Sequence, residues 1–136
     1  MKLKVKAMSG GAKLPTRGTK LAGGLDLYCL CDTLLDKRSR KVCTGIAVEI
    51  PAGYVGLIQT RSSATLRGIT VFSTVIDADY RGELFITAKA DDLTLITRGE
   101  RIAQLVILPL PMFEPEWADG LSETERGAGG YGSTGV

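Results

Sequence analysis

Ile46-Ala47-Val48-Glu49-Ile50-Pro51-Ala52-Gly53-Tyr54-Val55-Gly56-Leu57-Ile58-Gln59-Thr60 is the stretch on which the fold turns. Ile46, Val48 and Ile50 alternate with Ala47 and Glu49, the period of a half-buried strand rather than a helix. Pro51-Ala52-Gly53 then marks a turn, and Tyr54–Thr60 is expected as the second strand of a hairpin. The same period runs outward in both directions. Leu3, Val5 and Ala7 alternate with Lys2, Lys4 and Lys6, giving a strand with a basic outer face. Leu25–Leu30, Ile69–Ile76, Leu84–Ala88, Leu93–Ile96 and Ile102–Leu108 read as further strands. Ala90-Asp91-Asp92, Arg98-Gly99-Glu100 and Asp79-Tyr80-Arg81-Gly82 supply turns between them. Short strands about ten residues apart predict an all-β sandwich or barrel. One short helix is expected, Ala64–Arg67, N-capped by Ser62 or Ser63 and stopped by Gly68.

Length and composition narrow the chemistry. A chain of 136 residues, 44% of them apolar, makes one domain with a real core. It contains no histidine, which excludes a Ser-His-Asp triad, a Cys-His pair, a His-ligated zinc and an imidazole shuttle. Protons must move through carboxylates, lysine, tyrosine or metal-bound water. Cys29, Cys31 and Cys43 are an odd number with no CxxC, so they read as reduced fillers rather than a zinc site or a disulfide framework. Lysines interrupt Met1–Ala7, so it is no signal-peptide core, and the longest apolar run, Leu105–Leu110, is too short to span a bilayer. The net charge of +2 gives no overall pull toward nucleic acid or membrane. Neither is expected as a partner, and an intracellular setting is, either cytoplasmic or nuclear, or virus- or phage-encoded.

Charge is nevertheless uneven. The first 20 residues hold six basic side chains and no acid, Lys37–Lys41 adds four more, and residues 114–125 hold five acids and no base. From Pro109 the strand period stops. Arg126–Gly135 is half glycine, too poor in apolar surface to order itself. It still carries an arginine, an aromatic ring and two adjacent hydroxyls, groups that bind phosphate and stack on a base. The chain therefore divides into a barrel over residues 1–120 and an arm over residues 121–136.

Five stretches carry chemistry. Arg61-Ser62-Ser63 joins a guanidinium and two hydroxyls at a strand end, an anion-binding set or a simple cap. Val75-Ile76-Asp77-Ala78-Asp79-Tyr80-Arg81-Gly82-Glu83 places carboxylates and an aromatic in a turn, with Asp77 and Asp79 on one side if the strand continues. Asp26, within Ala22–Tyr28, is either a strand-edge acid or a hard oxygen ligand for magnesium. Gln104, inside apolar Ile102–Val106, needs a polar partner. Arg126–Gly135 is the glycine-rich arm.

In this order the five stretches resemble the homotrimeric dUTP diphosphatases, or dUTPases. The likeness runs from about Ala22 to Gly135 and includes Gly-Glu-Arg-Ile-Ala-Gln-Leu and the closing Gly-Tyr-Gly-Ser-Thr-Gly. It implies a distorted jelly-roll β-barrel with one short helix and a flexible arm. It implies hydrolysis of dUTP to dUMP and diphosphate in a homotrimer whose sites are shared between subunits. By the same resemblance, Asp77 would activate the attacking water and Tyr80 would pack on the deoxyribose and exclude a 2′-hydroxyl. Backbone around Val75 and Ile76 would read uracil. Arg61, Ser62, Ser63 and Gln104 would bind phosphate oxygens, and Asp26 would contact Mg2+ through water. Tyr131 would stack over uracil, while Arg126, Gly132, Ser133 and Thr134 close on the γ-phosphate.

The chain departs from the family at Phe72-Ser73-Thr74-Val75-Ile76-Asp77, where Gly-x-Gly commonly precedes the apolar pair and the aspartate. Ser63 and Tyr131 replace a common glycine and phenylalanine. Two other readings use the same scaffold: a dCTP deaminase-like enzyme, which typically lacks the glycine-rich lid, and a nucleotide-binding regulatory protein. A zinc deaminase is excluded by the missing HxE and PCxxC. A structural jelly-roll subunit explains the strands but not the motifs.

Overall fold

The computed structural model describes residues 1–132. Among them are eleven strands, all paired antiparallel, and one helix. The strands are β1 (Lys4–Ala7), β2 (Leu25–Leu27), β3 (Thr33–Leu35), β4 (Arg40–Cys43), β5 (Ile46–Glu49), β6 (Tyr54–Thr60), β7 (Ile69–Val71), β8 (Thr74–Ile76), β9 (Phe85–Ala90), β10 (Thr94–Ile96) and β11 (Ala103–Pro109). Helix α1 (Ser62–Leu66) lies between β6 and β7. The strands form four sheets, β2-β11-β6-β8, β4-β9-β7, β1-β5 and β3-β10. The fold is all-β and jelly-roll-like. Leu27, Leu35, Val42, Ile58, Ile86 and Ile96 are fully buried in one continuous core. No helix among the described residues is long and apolar enough to cross a membrane.

The central hairpin does not form as expected. The turn exists, with the Tyr54 N–H donating to the Pro51 carbonyl at 3.2 Å. Yet β5 pairs with β1, while β6 pairs with β11 and β8. The two strands stack in different sheets because Gly56 leaves room for Ile50. A Cβ at Gly56 would come within 2.6 Å of the Ile50 Cδ1. Ile46, Ala47 and Val48 are all buried, so β5 is covered on both faces and only Glu49 reaches out.

The expected Ile69–Ile76 strand is two strands in two sheets. The Phe72 N–H still bonds the Thr87 carbonyl beside β9, at 2.9 Å. One residue later the chain crosses over, and Thr74 pairs with Ile58. Gln59 holds this corner by donating to the Ser73 hydroxyl at 2.6 Å. The Leu25–Leu30 run ends as a strand at Leu27. Strands β3 and β4 were not expected, since β4 lies in a stretch dominated by charge. The helix start also differs. Arg61 occupies the N-cap with no side-chain cap bond, and both serines fall in the first turn. Gly68, at φ 73°, follows the helix. Past β11 the Leu110 N–H bonds the Gly53 carbonyl at 2.8 Å. Residues 110–132 contain no strand or helix.

Candidate active site

Three neighbouring strands build the first cluster. Asp26 on β2 faces Gln104 on β11, which faces Gln59 on β6. Arg61, just past β6, returns toward Asp26. Its Nε lies 3.1 Å from Asp26 Oδ1, and Arg101 Nη1 lies 3.2 Å from Oδ2. The Asp26 side chain is only 9% exposed, and burying a charge requires this pairing. Arg61 also donates to the Arg101 carbonyl at 2.8 Å. Two guanidinium groups against one carboxylate leave the cluster one positive charge. Gln104 donates to the Thr60 carbonyl at 3.0 Å, and its amide lies against Gly24, where any Cβ would collide with it. Ser62 and Ser63 are exposed beside Arg61.

Arg101 is a member of this cluster that was not expected from the motifs. It sits inside Gly-Glu-Arg-Ile-Ala-Gln, and its charge in a partly apolar strand entry was the available signal. Its guanidinium also lies 5.7 Å from the centre of the Tyr28 ring. Arg67 pairs with Glu100 at 2.8 Å, tying α1 to the same loop. Burial works to raise the Glu100 carboxyl, but the Thr97 N–H and Arg67 outweigh it and hold it below its usual range.

The second cluster lies at the other end of β6. Strand β8 is the outer strand of its sheet, so one of its edges keeps unpaired backbone N–H and C=O groups. Asp77 follows directly and is exposed. The strand stops at Ile76, so Asp77 and Asp79 belong to a turn rather than one strand face. The Asp77 carbonyl accepts the Tyr80 N–H at 3.1 Å. The Tyr80 hydroxyl donates to the Glu83 carbonyl at 2.9 Å, with the ring closed over Gly82. A cavity of about 270 Å³ opens here, lined by Thr74, Val75, Ile76, Asp77 and Tyr80, and by Lys41, Glu83, Phe85 and Thr87. The Ile76 side chain is 5% exposed, so that residue offers a ligand mainly its backbone. Lys41, Phe85 and Thr87 were not expected at this site.

The two clusters do not meet within one chain. Ile76 is opposite Gly56, whereas Arg61 follows the far end of β6. Six residue steps at roughly 3.3 Å separate Asp77 from Arg61 by about 20 Å. The described part of the arm bonds within itself. Arg126 donates to the Gly129 carbonyl at 2.7 Å, Tyr131 is fully exposed and Gly132 follows it at φ 80°. Ser133 and Thr134 lie outside the described residues.

A family model described as dUTPase matches residues 11–135. The chain belongs to the dUTPase family. Among curated dUTPases, the deoxyuridine 5'-triphosphate nucleotidohydrolase of Hydrogenobaculum sp. (strain Y04AAS1) is 43% identical, covering 100% of this chain and 99% of its own. That of Nautilia profundicola is also 43% identical, covering 99% of each. Among solved dUTPases, a variant from Staphylococcus bacteriophage 80alpha with dUpNHpp superposes with a TM-score of 0.91 at 32% identity, covering 99% of both chains. A phage phi11 dUTPase variant, described for its coordination of a structural Mg(II) ion, gives 0.83 at 26% identity, over 88% of this chain and 98% of that one. As a dUTPase, the chain is a hydrolase.

Proposed function

We propose that the protein hydrolyses dUTP to dUMP and diphosphate, in a homotrimer whose sites are each assembled from three chains. The observation that carries this reading is the cavity where an exposed carboxylate, an aromatic ring and a free strand edge converge. A strand edge offers alternating donors and acceptors, the pattern needed to bond the carbonyls and N–H of uracil. Backbone at Val75 and Ile76 reads the base. The Tyr80 ring packs on the deoxyribose and leaves no space for a 2′-hydroxyl. Asp77 takes the proton of the water that attacks the α-phosphorus, as a histidine-free enzyme requires.

The phosphates are taken by the first cluster, supplied by a neighbouring chain because 20 Å is too far for one triphosphate to bridge. Arg61 gives charge-assisted bonds, with Ser62, Ser63 and Gln104 completing the set. The described residues contain no group of three metal-type ligands, so they form no cation cage. One carboxylate with two arginines suits a Mg2+ that keeps its waters and is held mainly by phosphate oxygens. Asp26 would hold Mg2+ through water, and the bound ion would offset phosphate charge. A third chain lends its arm. Tyr131 stacks on the base, and Arg126, Gly132, Ser133 and Thr134 close over the phosphates and exclude water. Residues 1–120 are then the barrel and 121–136 the lid. Three free cysteines fit a reducing intracellular setting, cellular or phage-encoded.

The test is diphosphate release from dUTP, dTTP, dCTP and UTP with magnesium. Activity confined to dUTP is expected. Equal turnover of UTP would remove the role given to Tyr80, and no release from dUTP would end the reading.

A further inference from the structure

The Asp77 cavity has a wall that lies outside all five motifs. Lys41 of β4 and Phe85 of β9 border it from the adjoining sheet. The Lys41 ammonium lies 5.1 Å from the centre of the Phe85 ring. An aromatic face attracts a cation through its quadrupole, so the amine has a defined resting place at the cavity. Lys41 enters no ion pair among the described residues. Its charge is therefore not already taken by a carboxylate.

Register locates the root of this side chain. Lys41 is opposite Thr87, and the Thr87 carbonyl accepts the Phe72 N–H at 2.9 Å. Lys41 thus rises from the Thr74 end of β8, while Asp77 and Tyr80 stand at the opposite end. A nucleotide with its sugar on Tyr80 and its α-phosphorus at Asp77 points its base toward Lys41. In a pyrimidine the ring atom opposite the glycosidic nitrogen is C4.

We propose that Lys41 donates a hydrogen bond to the C4 carbonyl of uracil and is a specificity-determining residue of the enzyme. This rests on the dUTP reading above. Cytosine carries an amino group at C4, so its donor would face another donor, unpaired. The contact also answers the Ser73-Thr74 departure, because a side chain adds to what the backbone reads.

Lys41→Met keeps the apolar stem over Phe85 and removes the ammonium. Affinities for dUMP and dCMP, together with kcat and KM for dUTP, are measured on the parent, Lys41→Met and Lys41→Arg. The expected result is a loss of about tenfold in dUMP affinity and a matching rise in KM, the scale of one charge-assisted bond. kcat and dCMP affinity stay near the parent's, and arginine restores part of the preference. Parallel loss for dUMP and dCMP, or an unchanged ratio, overturns the assignment. If Lys41→Met does not fold, Lys41→Gln is read by the same ratio. A parent with no dUTP hydrolysis overturns the function and this inference together, whereas an active parent with an unmoved ratio overturns Lys41 alone.

Discussion

Asp77 and Asp26 are the same residue type in opposite situations. Asp77 is exposed at the head of a turn and enters no ion pair among the described residues. Asp77→Asn should lower kcat by about 10²–10⁴-fold while binding of a non-hydrolysable dUTP analogue survives. Single-turnover kinetics beside a binding titration checks this, and turnover within about tenfold of the parent would sink the assignment. Asp26 is instead locked between Arg61 and Arg101. The sequence marked Asp26 and Arg61 as candidates, but their pairing depends on β11 lying between β2 and β6, which no local pattern encodes. In the sequence Lys41 is only part of a basic run, because its neighbour Phe85 is 44 positions away. The Cys29 thiol shows what burial alone does. Desolvation, helped by the nearby Glu100 carboxylate, pushes it from the ordinary 9.0 up to about 12. An unfolded thiol ionises first, so this group's share of stability is full below pH 9 and drains away between about 9 and 12. Cys29→Ala should flatten that part of a denaturation-against-pH curve; an unchanged slope would contradict it.

At the scale of elements, Gly56 decides more than the turn beside it. The period of two in Ile46–Ile50 and the composition of Tyr54–Thr60 were legible as strands. Their partners were not, because alternation records which face is buried but not which strand lies alongside. The absent side chain at Gly56 was the available clue to stacking rather than pairing. Gly56→Val should cost about 1–3 kcal/mol through overpacking against Ile50, Ile76 and Leu105. Urea unfolding at matched protein concentration reads this, and an unchanged midpoint would mean that the stack relaxes freely. The split at Phe72–Ser73 was hidden for a related reason. Both halves are extended and apolar-rich, and the switch of sheets depends on bonds to Thr87 and Gln59 from elsewhere.

For the whole molecule, the 20 Å between clusters is the governing fact. Met112, Phe113 and Trp117 are exposed apolar groups between β11 and the arm, surface that another copy would cover in the proposed trimer. Light scattering should give three times the 14.5 kDa chain mass. A sharper check mixes two inactive variants, Asp77→Asn and Arg61→Ala, and refolds them together. If each site takes its base from one chain and its arginine from another, random assembly restores about a quarter of parent activity. No recovery would show that both groups serve the same chain's site. The free edge of β8 has one more consequence. A strand edge open enough to bond a base is equally open to bonding another polypeptide. Strand β8 has only three residues, enough for one ring but short for a stable intermolecular ladder. On the proposed reading, its brevity keeps a recognition surface from becoming a seed for aggregation.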